Sequence, residues 1–600
     1  MSAIPQTGPR AAPAARYGSD AIAALLRDIG LPYIALTPGA SFRGLHDSLV
    51  NYLGNRDPRL LLCVHEEHAV ALAHGYARVT GKPLAVALHS NVGLMHATMA
   101  IFNAWCDRVP MLLLGGIGPM DAAKRRPWVD WIHTARDLGA LVRGYVKWDD
   151  QPSSVPAALE AIVRAQRIAT TGPCGPVFVC LDAALQEELA PADVAVPPPR
   201  AFPPPLAGDP PPEAVRTIAH ALAEAESPLL LIGRVTNDPA DFARRVALAE
   251  RVGARVLTDI KTGASFPTTH ALHPAPPGLY VTGLATEMIR AADVIVSLDW
   301  IDLAGSLRQA CGGRFPDARV FDCSLDQYVH NGWSMDYQAL PASEATLLCP
   351  PDRLVARLLE ALAEPGMSRN SGRIAARPRV AAVEPDPPPR AVHKDCLSVD
   401  ELAATVTAGL APHRPSYIRL PLGWPGEHCR FEHPLDYIGF DGGGGIGSGP
   451  GMAVGAALAL RGMDRLPCAV LGDGDYVMGL TALWTAAHEK LPLLVIVANN
   501  QSFFNDELHQ ERMARVRGRP VENAPIGLRM SEPGMDLAML ARGQGALGYG
   551  PVTDAAMLAD ALAQAVADVK AGAVCVIDVR VAPEYARAVS SALLRQIQEG

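Results

Sequence analysis

Short, strongly apolar stretches recur along the chain and alternate with longer stretches of mixed apolar and polar residues. Examples of the short stretches are "PLAVALHS", "SPLLLIG", "CAVLGDG" and "PLLVIVAN". A strand that is apolar on both faces has to be buried on both faces, which is typical of parallel sheets covered by helices. The longer stretches have the spacing of amphipathic helices. The pattern therefore predicts an α/β fold built from doubly wound parallel sheets.

Two proline-rich segments interrupt this alternation. A single hydrophobic core rarely supports a chain of 600 residues, so several domains are expected. The segments at 191–212 and 371–395 have the composition of extended linkers. We therefore predict three tandem domains, which cover residues 1–190, 213–370 and 396–600.

The overall composition excludes several classes of function. The formal net charge is −9 and the chain has no basic cluster, which argues against nucleic acid as a partner. The longest apolar runs are too short to cross a membrane, and the first residues lack the apolar core of a secretory signal. The cysteines form no CxxC pair, which fits reduced thiols better than disulfides or a zinc site. We therefore expect a cytoplasmic enzyme.

Polar residues stand at the ends of two predicted strands in the C-terminal domain. Asp473 follows "CAVLG", and Asn499 and Asn500 follow "PLLVIVA". In an open parallel sheet, ligands bind at the carboxyl ends of the strands. Carboxylate and amide oxygens suit Mg²⁺, and the glycines beside Asp473 allow the backbone to approach a diphosphate closely. The pattern indicates a diphosphate site that is bridged by a metal ion.

The whole segment "GDGDYVMGLTALWTAAHEKLPLLVIVANN" resembles the diphosphate-binding motif of thiamin diphosphate (ThDP) enzymes. The resemblance implies that Asp473, Asn500 and the carbonyl oxygen of Ser502 bind Mg²⁺. It also implies a pyrimidine-binding N-terminal domain, a Rossmann-like central domain and a diphosphate-binding C-terminal domain. The residues implied at the cofactor within and after the motif are Gly472, Asp473, Gly474, Asp475, Asn500 and Ser502.

The glycine-rich segment "GGGGIGSG" allows two interpretations. It satisfies the dinucleotide pattern GxGxxG between Gly442 and Gly447, with Asp464 at the distance of a ribose-binding acid, which would indicate an NAD-dependent oxidoreductase. A run of four glycines, however, matches this pattern in several registers. The segment also resembles the part of ThDP enzymes that bends the cofactor into a V shape. That resemblance implies Ile446 as the supporting side chain and the Gly444 backbone as a contact to the aminopyrimidine.

A ThDP site also needs a carboxylate on the pyrimidine ring, because this bond favours the tautomer that removes the C2 proton. The segment "LLCVHEEHAVALAHGYAR" has the matching form, since an apolar strand ends at His65 and Glu66 and a helix follows. The family spacing of nine residues before the glycine of "GYAR" selects Glu66 over Glu67. The resemblance implies that each site forms between two chains. We therefore expect a homodimer at minimum, and a homotetramer as the assembly.

The N-terminal domain resembles the benzoylformate decarboxylase branch of the family. The segment "LHSNVGLMHATMAIFNAW" carries the resemblance, and it implies that His89 reaches the substrate carboxylate or moves protons. Acetolactate synthases have no histidine at this position. The substrate-binding serine of the branch falls on Ala40, although Ser41 is the next residue.

The segment after the asparagines, "QSFFNDELHQERMARVRGRPVEN", resembles neither branch. Phe504, Asn505 and His509 are the residues that we consider for a substrate pocket there. In relatives the central domain is either structural or binds FAD or ADP. Since no glycine fingerprint follows a strand in this domain, we do not expect bound FAD.

These features lead to one expected function and several alternatives. We expect a ThDP- and Mg²⁺-dependent, non-oxidative decarboxylase of a small 2-oxo acid, which acts through a C2 carbanion and an enamine. An acetolactate synthase-like carboligase, a 2-hydroxyacyl-CoA lyase and a cyclic 1,2-dione hydrolase remain open within the same superfamily. The NAD-dependent oxidoreductase and a non-catalytic protein with the ThDP fold remain open outside these activities.

Overall fold

A computed structural model describes residues 15–281, 283–326, 340–365, 367 and 395–586 of the chain. The linker predicted at 371–395 lies outside the described residues except for Asp395. The chain forms two compact units, of which one ends at Pro205 and the other has its main part from Leu206 onward.

The first unit contains one parallel sheet with helices. Its strands are β1 (Tyr33–Leu36), β2 (Arg59–Leu62), β3 (Ala85–His89), β4 (Met111–Ile117), β5 (Asp149–Asp150) and β6 (Pro176–Asp182). Its helices are α1 (Gly18–Ile29), α2 (Arg43–Asp47), α3 (Glu66–Thr80), α4 (Ser90–Cys106), α5 (Val129–Ile132), α6 (Val155–Ala169) and α7 (Ala183–Glu187). The strand order is β2-β1-β3-β4-β6-β5.

Strand β4 shows why small residues are needed at the centre of this sheet. The strand is buried along its whole length, and it contains Gly115 and Gly116. A Cβ atom at Gly115 would lie 2.4 Å from the ring of Phe178, and one at Gly116 would lie 2.7 Å from Oγ of Ser41. The glycines therefore allow the turn that carries Ser41 to pack directly on the carboxyl end of β4.

The second unit begins with a central sheet. Its strands are β7 (Pro228–Ile232), β8 (Arg255–Thr258), β9 (Val294–Leu298), β10 (Arg319–Cys323) and β11 (Ala345–Leu347), in the order β11-β10-β9-β7-β8. Its helices are α8 (Pro212–Glu224), α9 (Pro239–Val252), α10 (Gly283–Arg290), α11 (Leu303–Ala310) and α12 (Pro351–Leu362). The first proline-rich segment leads into α8.

The second unit ends with a third sheet. Its strands are β12 (Pro415–Ile418), β13 (Leu466–Gly472), β14 (Leu493–Asn499), β15 (Leu547–Val552) and β16 (Val574–Arg580), in the order β12-β13-β14-β16-β15. Its helices are α13 (Val399–Leu410), α14 (Gly449–Ala459), α15 (Asp473–Gly479), α16 (Ala482–His488), α17 (Phe504–Val516), α18 (Leu537–Gly543) and α19 (Ala555–Lys570). The three parallel sheets confirm the predicted doubly wound α/β fold.

The register of the third sheet positions the predicted cofactor residues. Gly472 of β13 pairs with Ala498 of β14, and the two strands run parallel. The residues that follow these partners, Asp473 and Asn499, therefore end adjacent strands at the same level.

Within the described part of the chain, no helix is long and apolar enough to span a membrane.

A buried ion pair ties two helices of the central sheet together. Arg245 of α9 is fully buried, and its guanidinium donates to Asp352 of α12 and, at 2.8 Å, to the carbonyl oxygen of Ser265. The other carboxylate oxygen of Asp352 accepts from the Thr236 backbone at 2.9 Å. Both charges are thus compensated, which is the condition under which a buried pair is tolerated.

Replacing Asp352 tests this account of the central domain. The substitution Asp352→Ala leaves the Arg245 guanidinium buried without its carboxylate, so we expect a loss of about 3–5 kcal/mol in the free energy of unfolding. Urea unfolding followed by circular dichroism measures this change. The control is Arg353→Ala, because Arg353 is 56% exposed and lies 3.8 Å from Asp209. An exposed pair contributes less than about 1 kcal/mol. Equal losses in the two variants would contradict the account.

Candidate active site

A cleft of about 340 Å³ lies at the carboxyl edge of the third sheet. Asp473, Asn500 and Ser502 line it together. They follow the ends of β13 and β14, where the sheet register brings them to one edge. The structure thus brings together the three residues that the sequence predicts as metal ligands.

Asp473 carries a buried carboxylate that backbone groups hold in place. It is 4% exposed, and its oxygens accept from the N–H groups of Gly474 at 2.8 Å and Gln501 at 2.5 Å. Burial raises the pKa of Asp473 to about 6, although these hydrogen bonds oppose the shift. Among the described residues, no Lys, Arg or His side chain forms an ion pair with it. A site of this kind favours a cation that compensates the charge.

The two asparagines have separate roles. Asn499 is buried at the end of β14 and donates through Nδ2 to Asp578 of β16 at 2.7 Å. It therefore stabilises the sheet. Asn500 lines the cleft, and its Oδ1 accepts from the Ser502 backbone N–H at 2.9 Å.

The donors at this edge fit Mg²⁺ by their chemistry. Asp473 offers a carboxylate oxygen that lacks a cationic partner in the described structure, Asn500 offers an amide oxygen, and Ser502 offers a backbone carbonyl. Mg²⁺ takes oxygen ligands of this kind and retains positions for water or phosphate oxygens. The Ser502 hydroxyl is engaged elsewhere, since it donates to Glu507 of α17.

The glycine-rich segment forms another wall of the cleft. Gly444 and Ile446 line it, as do Gly472 and Gly474. Gly444 has φ of +68°, a left-handed conformation that a residue with a side chain adopts at a cost. Apart from its two chain neighbours, no atom of the described residues lies within 4 Å of the position of its missing Cβ, so the backbone there faces open space. The residues predicted to support the cofactor are therefore gathered around one cavity.

A buried charge cluster fixes the glycine-rich segment. Asp475 lines the cleft, and its Oδ1 accepts from the N–H groups of Gly447 at 2.6 Å and Gly449 at 3.2 Å. Arg419 forms ion pairs with Asp475, at 2.9 Å, and with Asp441. Burial raises the pKa of Asp441 to about 6, while Arg419 opposes this shift. Asp475, which the sequence predicts as a cofactor residue, thus holds the loop that lines the cleft.

In the first unit, Glu66 begins α3 and is buried, with 6% of its surface exposed. His89 ends β3, and its Nδ1 is hydrogen-bonded to Oγ of Ser41 at 2.8 Å. Ala40 is exposed, so Ser41 is the residue that brings a hydroxyl to His89. Burial lowers the pKa of His89, and the neighbouring His133 lowers it further.

Aromatic residues that follow the asparagines complete the cleft of the third sheet. Phe503, Phe504 and Asn505 line it. Phe504 packs edge-on against Tyr585 with ring centroids 5.2 Å apart, and the Tyr585 hydroxyl lies 3.3 Å from Oδ1 of Asn505. His509 is exposed on α17 and does not line this cleft.

Sequence reasoning missed Tyr585 and Arg419. Tyr585 follows the last strand in "VAPEYA", and nothing in this short segment indicates that it folds back over the cleft. Arg419 follows β12 and lies next to Pro421 and Leu422, which also line the cleft. The position of Arg419 directly after a strand of this sheet is the sequence feature that could have indicated its role.

Asp464 does not have the position that the interpretation of Gly442–Gly447 as a nicotinamide site requires. A ribose-binding acid has to end the strand that follows the helix after the glycines. Asp464 precedes β13 instead, at the opposite edge of the sheet from Gly444 and Asp473. Its side chain is 93% exposed and pairs with Arg414 at 2.9 Å.

Comparison with known proteins identifies two domains. Residues 16–138 match the N-terminal TPP-binding domain of thiamine pyrophosphate enzymes, and residues 422–579 match the C-terminal TPP-binding domain. Benzoylformate decarboxylase of Pseudomonas aeruginosa is 26% identical over 500 residues, which cover 82% of this chain and 86% of the relative. The acetolactate synthase large subunit of Corynebacterium glutamicum is 24% identical over 527 residues, which cover 83% of this chain and 77% of the relative.

Solved structures share the fold. A thiamine diphosphate-dependent 4-hydroxybenzoylformate decarboxylase of Rhodococcus jostii superposes with a TM-score of 0.75 at 23% identity, over 94% of this chain and 99% of that chain. Benzoylformate decarboxylase of Polynucleobacter necessarius gives a TM-score of 0.76 at 20% identity, over 95% of this chain and 99% of that chain. Both TPP-binding domains of thiamine pyrophosphate enzymes are thus present, and the relatives that extend over most of the chain include a benzoylformate decarboxylase and acetolactate synthases.

Proposed function

We propose that the protein is a Mg²⁺-dependent, non-oxidative 2-oxo acid decarboxylase. The hydrogen-bonded pair of His89 and Ser41 at the end of β3 carries this proposal, because it offers an imidazole and a hydroxyl to a substrate carboxylate. Support also comes from the relatives that are named for the decarboxylation of benzoylformate and 4-hydroxybenzoylformate. An aromatic 2-oxo acid is therefore the first substrate to test.

Mg²⁺ would be held by Asp473, Asn500 and the Ser502 carbonyl, and it would bind the diphosphate of the cofactor to the cleft. Ile446 would support the bent cofactor, and the loop clamped by Asp475 would keep Ile446 in place. When bound, ThDP supplies an electron sink for cleavage of the bond between the carboxyl group and the carbonyl carbon of the substrate.

The remaining chemistry falls to residues of the first unit. Glu66 would bind the pyrimidine nitrogen, and its burial keeps water from competing for that hydrogen bond. His89 would accept or donate a proton near the departing carboxyl group. Because burial lowers its pKa, its neutral form predominates near pH 7. Ser41 would orient the His89 ring through Nδ1.

A carboligase is the second candidate. The relatives that are named acetolactate synthases favour it. A carboligase would join the product of decarboxylation to a second carbonyl compound. A panel of 2-oxo acids with product analysis separates the two functions. A decarboxylase releases an aldehyde and CO₂, whereas a carboligase gives a hydroxyketone or hydroxy acid.

We also propose that two copies of the chain are needed for each site and that the protein is a cytoplasmic homodimer or homotetramer. Glu66 belongs to the first unit and Asp473 to the second. The resemblance to ThDP enzymes implies that these residues meet across two subunits. The free thiols of the described structure fit a reducing compartment.

Cofactor binding provides the first test. Protein that has been freed of cofactor should gain stability from ThDP and Mg²⁺ together, by about 2.7 kcal/mol at a hundredfold excess over Kd. Thermal unfolding with and without each ligand measures the effect. NAD is the control and should have no effect. Stabilisation by NAD, or none by ThDP with Mg²⁺, would contradict the proposal.

The substitution Glu66→Gln tests the role of the carboxylate. The amide has nearly the same shape but cannot share a proton with the pyrimidine, so turnover should fall by at least about 100-fold. ThDP binding should persist, because the diphosphate is held by the other unit. Steady-state kinetics and thermal titration provide the two measurements. Glu67→Gln is the matched control and should retain turnover.

A pH profile tests the proposed form of His89. The neighbouring His133 disfavours protonation of His89 and so contributes to the lowered pKa of His89. If neutral His89 is the working form, turnover falls as the pH drops through its pKa. Removing the second imidazole with His133→Gln should raise that pKa and move the acid limb of kcat against pH to higher values. An acid limb that stays in place or moves to lower pH would exclude this role.

A further inference from the structure

Helix α4 brings a histidine to the carboxylate of Glu66. Nδ1 of His96 lies 3.1 Å from Oε2 of Glu66. The Glu66 side chain is 8% exposed, whereas the His96 side chain is 52% exposed. With a proton on Nδ1, the His96 ring donates to this carboxylate oxygen. A charge-assisted bond of this kind is stronger than one between neutral groups.

The packing of α4 on α3 makes this contact specific. A Cβ atom at Gly93, one turn before His96, would lie 3.2 Å from both Cγ and Oε1 of Glu66. The missing side chain of Gly93 therefore provides room for the carboxylate against α4. With Oε2 engaged by His96, Oε1 is the oxygen that remains for a ligand.

Two other histidines lie near the charge of Glu66, but each of them forms its hydrogen bond with a different group. His65 lies in the turn before α3, and its Nδ1 accepts from the Glu67 backbone at 3.1 Å. His89 lies at the end of β3 and bonds to Ser41. Burial lowers the pKa of both His65 and His89, while Glu66 raises it. Neither histidine therefore replaces His96 as the donor to Oε2.

We propose that His96 is a positioning residue that holds Glu66 in the orientation needed to activate the cofactor. This inference rests on the proposed function, in which Glu66 binds the pyrimidine ring. By donating to Oε2, His96 would restrict rotation of the carboxylate and leave Oε1 available for the pyrimidine nitrogen. Loss of the donor would leave a buried carboxylate with more freedom, so fewer molecules would have the productive geometry at any time.

Exchange of the C2 hydrogen of bound ThDP for deuterium tests the inference. The holoenzyme is mixed with D₂O and quenched in acid, and the residual C2 proton is measured by ¹H NMR. His96→Leu removes the donor and should slow exchange about tenfold, as expected for the loss of a hydrogen bond to a charged group. His96→Asn places an amide N–H near the position of Nδ1 and should restore exchange. His96→Phe keeps a ring without the donor and should be as slow as His96→Leu.

The controls separate positioning from structural damage. Met95→Ala changes the preceding, 57% exposed residue of α4 and should exchange at the rate of the unmodified protein. The affinity for ThDP, measured by thermal titration, should remain the same in all His96 variants. A rate in His96→Leu equal to that of the unmodified protein, or a rate in His96→Asn as slow as in His96→Leu, would overturn the inference. Slow exchange in Glu66→Gln with normal exchange in His96→Leu would leave the proposed function standing, whereas normal exchange in Glu66→Gln would refute that function itself.

Discussion

The buried carboxylate of Asp473 is the constraint on which the rest of the site depends. Removing a charge from water is unfavourable, and two backbone N–H groups compensate it only in part. The pKa of Asp473 is raised because part of this unfavourable free energy of burial remains uncompensated. A cation at this edge would remove it, and Asn500 and Ser502 lie where they can complete the coordination. The parallel register of β13 and β14 is therefore as important for the site as the residues themselves.

A second buried charge cluster shapes the glycine-rich wall of the cavity. Asp475 binds the backbone of the glycine-rich loop, and Arg419 compensates Asp475 and Asp441 together. A buried pair of this kind contributes little net stability, but breaking it is costly. The cluster thus fixes the loop that carries Ile446 more than it stabilises the domain. The same logic applies in the first unit, where buried Glu66 is held by His96.

The fold and the ends of its strands could be predicted from sequence because both follow from burial. Runs that are apolar on both faces allow little besides a covered parallel sheet, and the carboxyl ends of such strands share one edge. Asp473 and Asn500 could therefore be assigned together. The role of Asn499 in the sheet could not, because its partner Asp578 belongs to a strand that lies 79 residues further along the chain.

Other features depend on contacts between distant parts of the chain. Ser41, rather than Ala40, reaches His89 because a short helical turn packs on Gly116 of β4. Arg419 pairs with Asp475, and Tyr585 lines the cleft after the last strand. The residues around them in the sequence do not indicate either contact. The exposure of His509 follows from the rotation of α17 about its axis, which Glu507 fixes through its bonds to Ser502 and Arg529. None of these contacts follows from spacing along the sequence.

The central claim is that Glu66 of one copy and Asp473 of another serve the same cofactor. Mixing two inactive variants, Glu66→Gln and Asp473→Asn, after reversible dissociation tests it most directly. In a hybrid dimer, one site carries both substitutions and the other carries neither. An equal mixture should therefore recover about a quarter of the activity of the unmodified protein. An inactive mixture in which native mass spectrometry shows that hybrids have formed would contradict the claim.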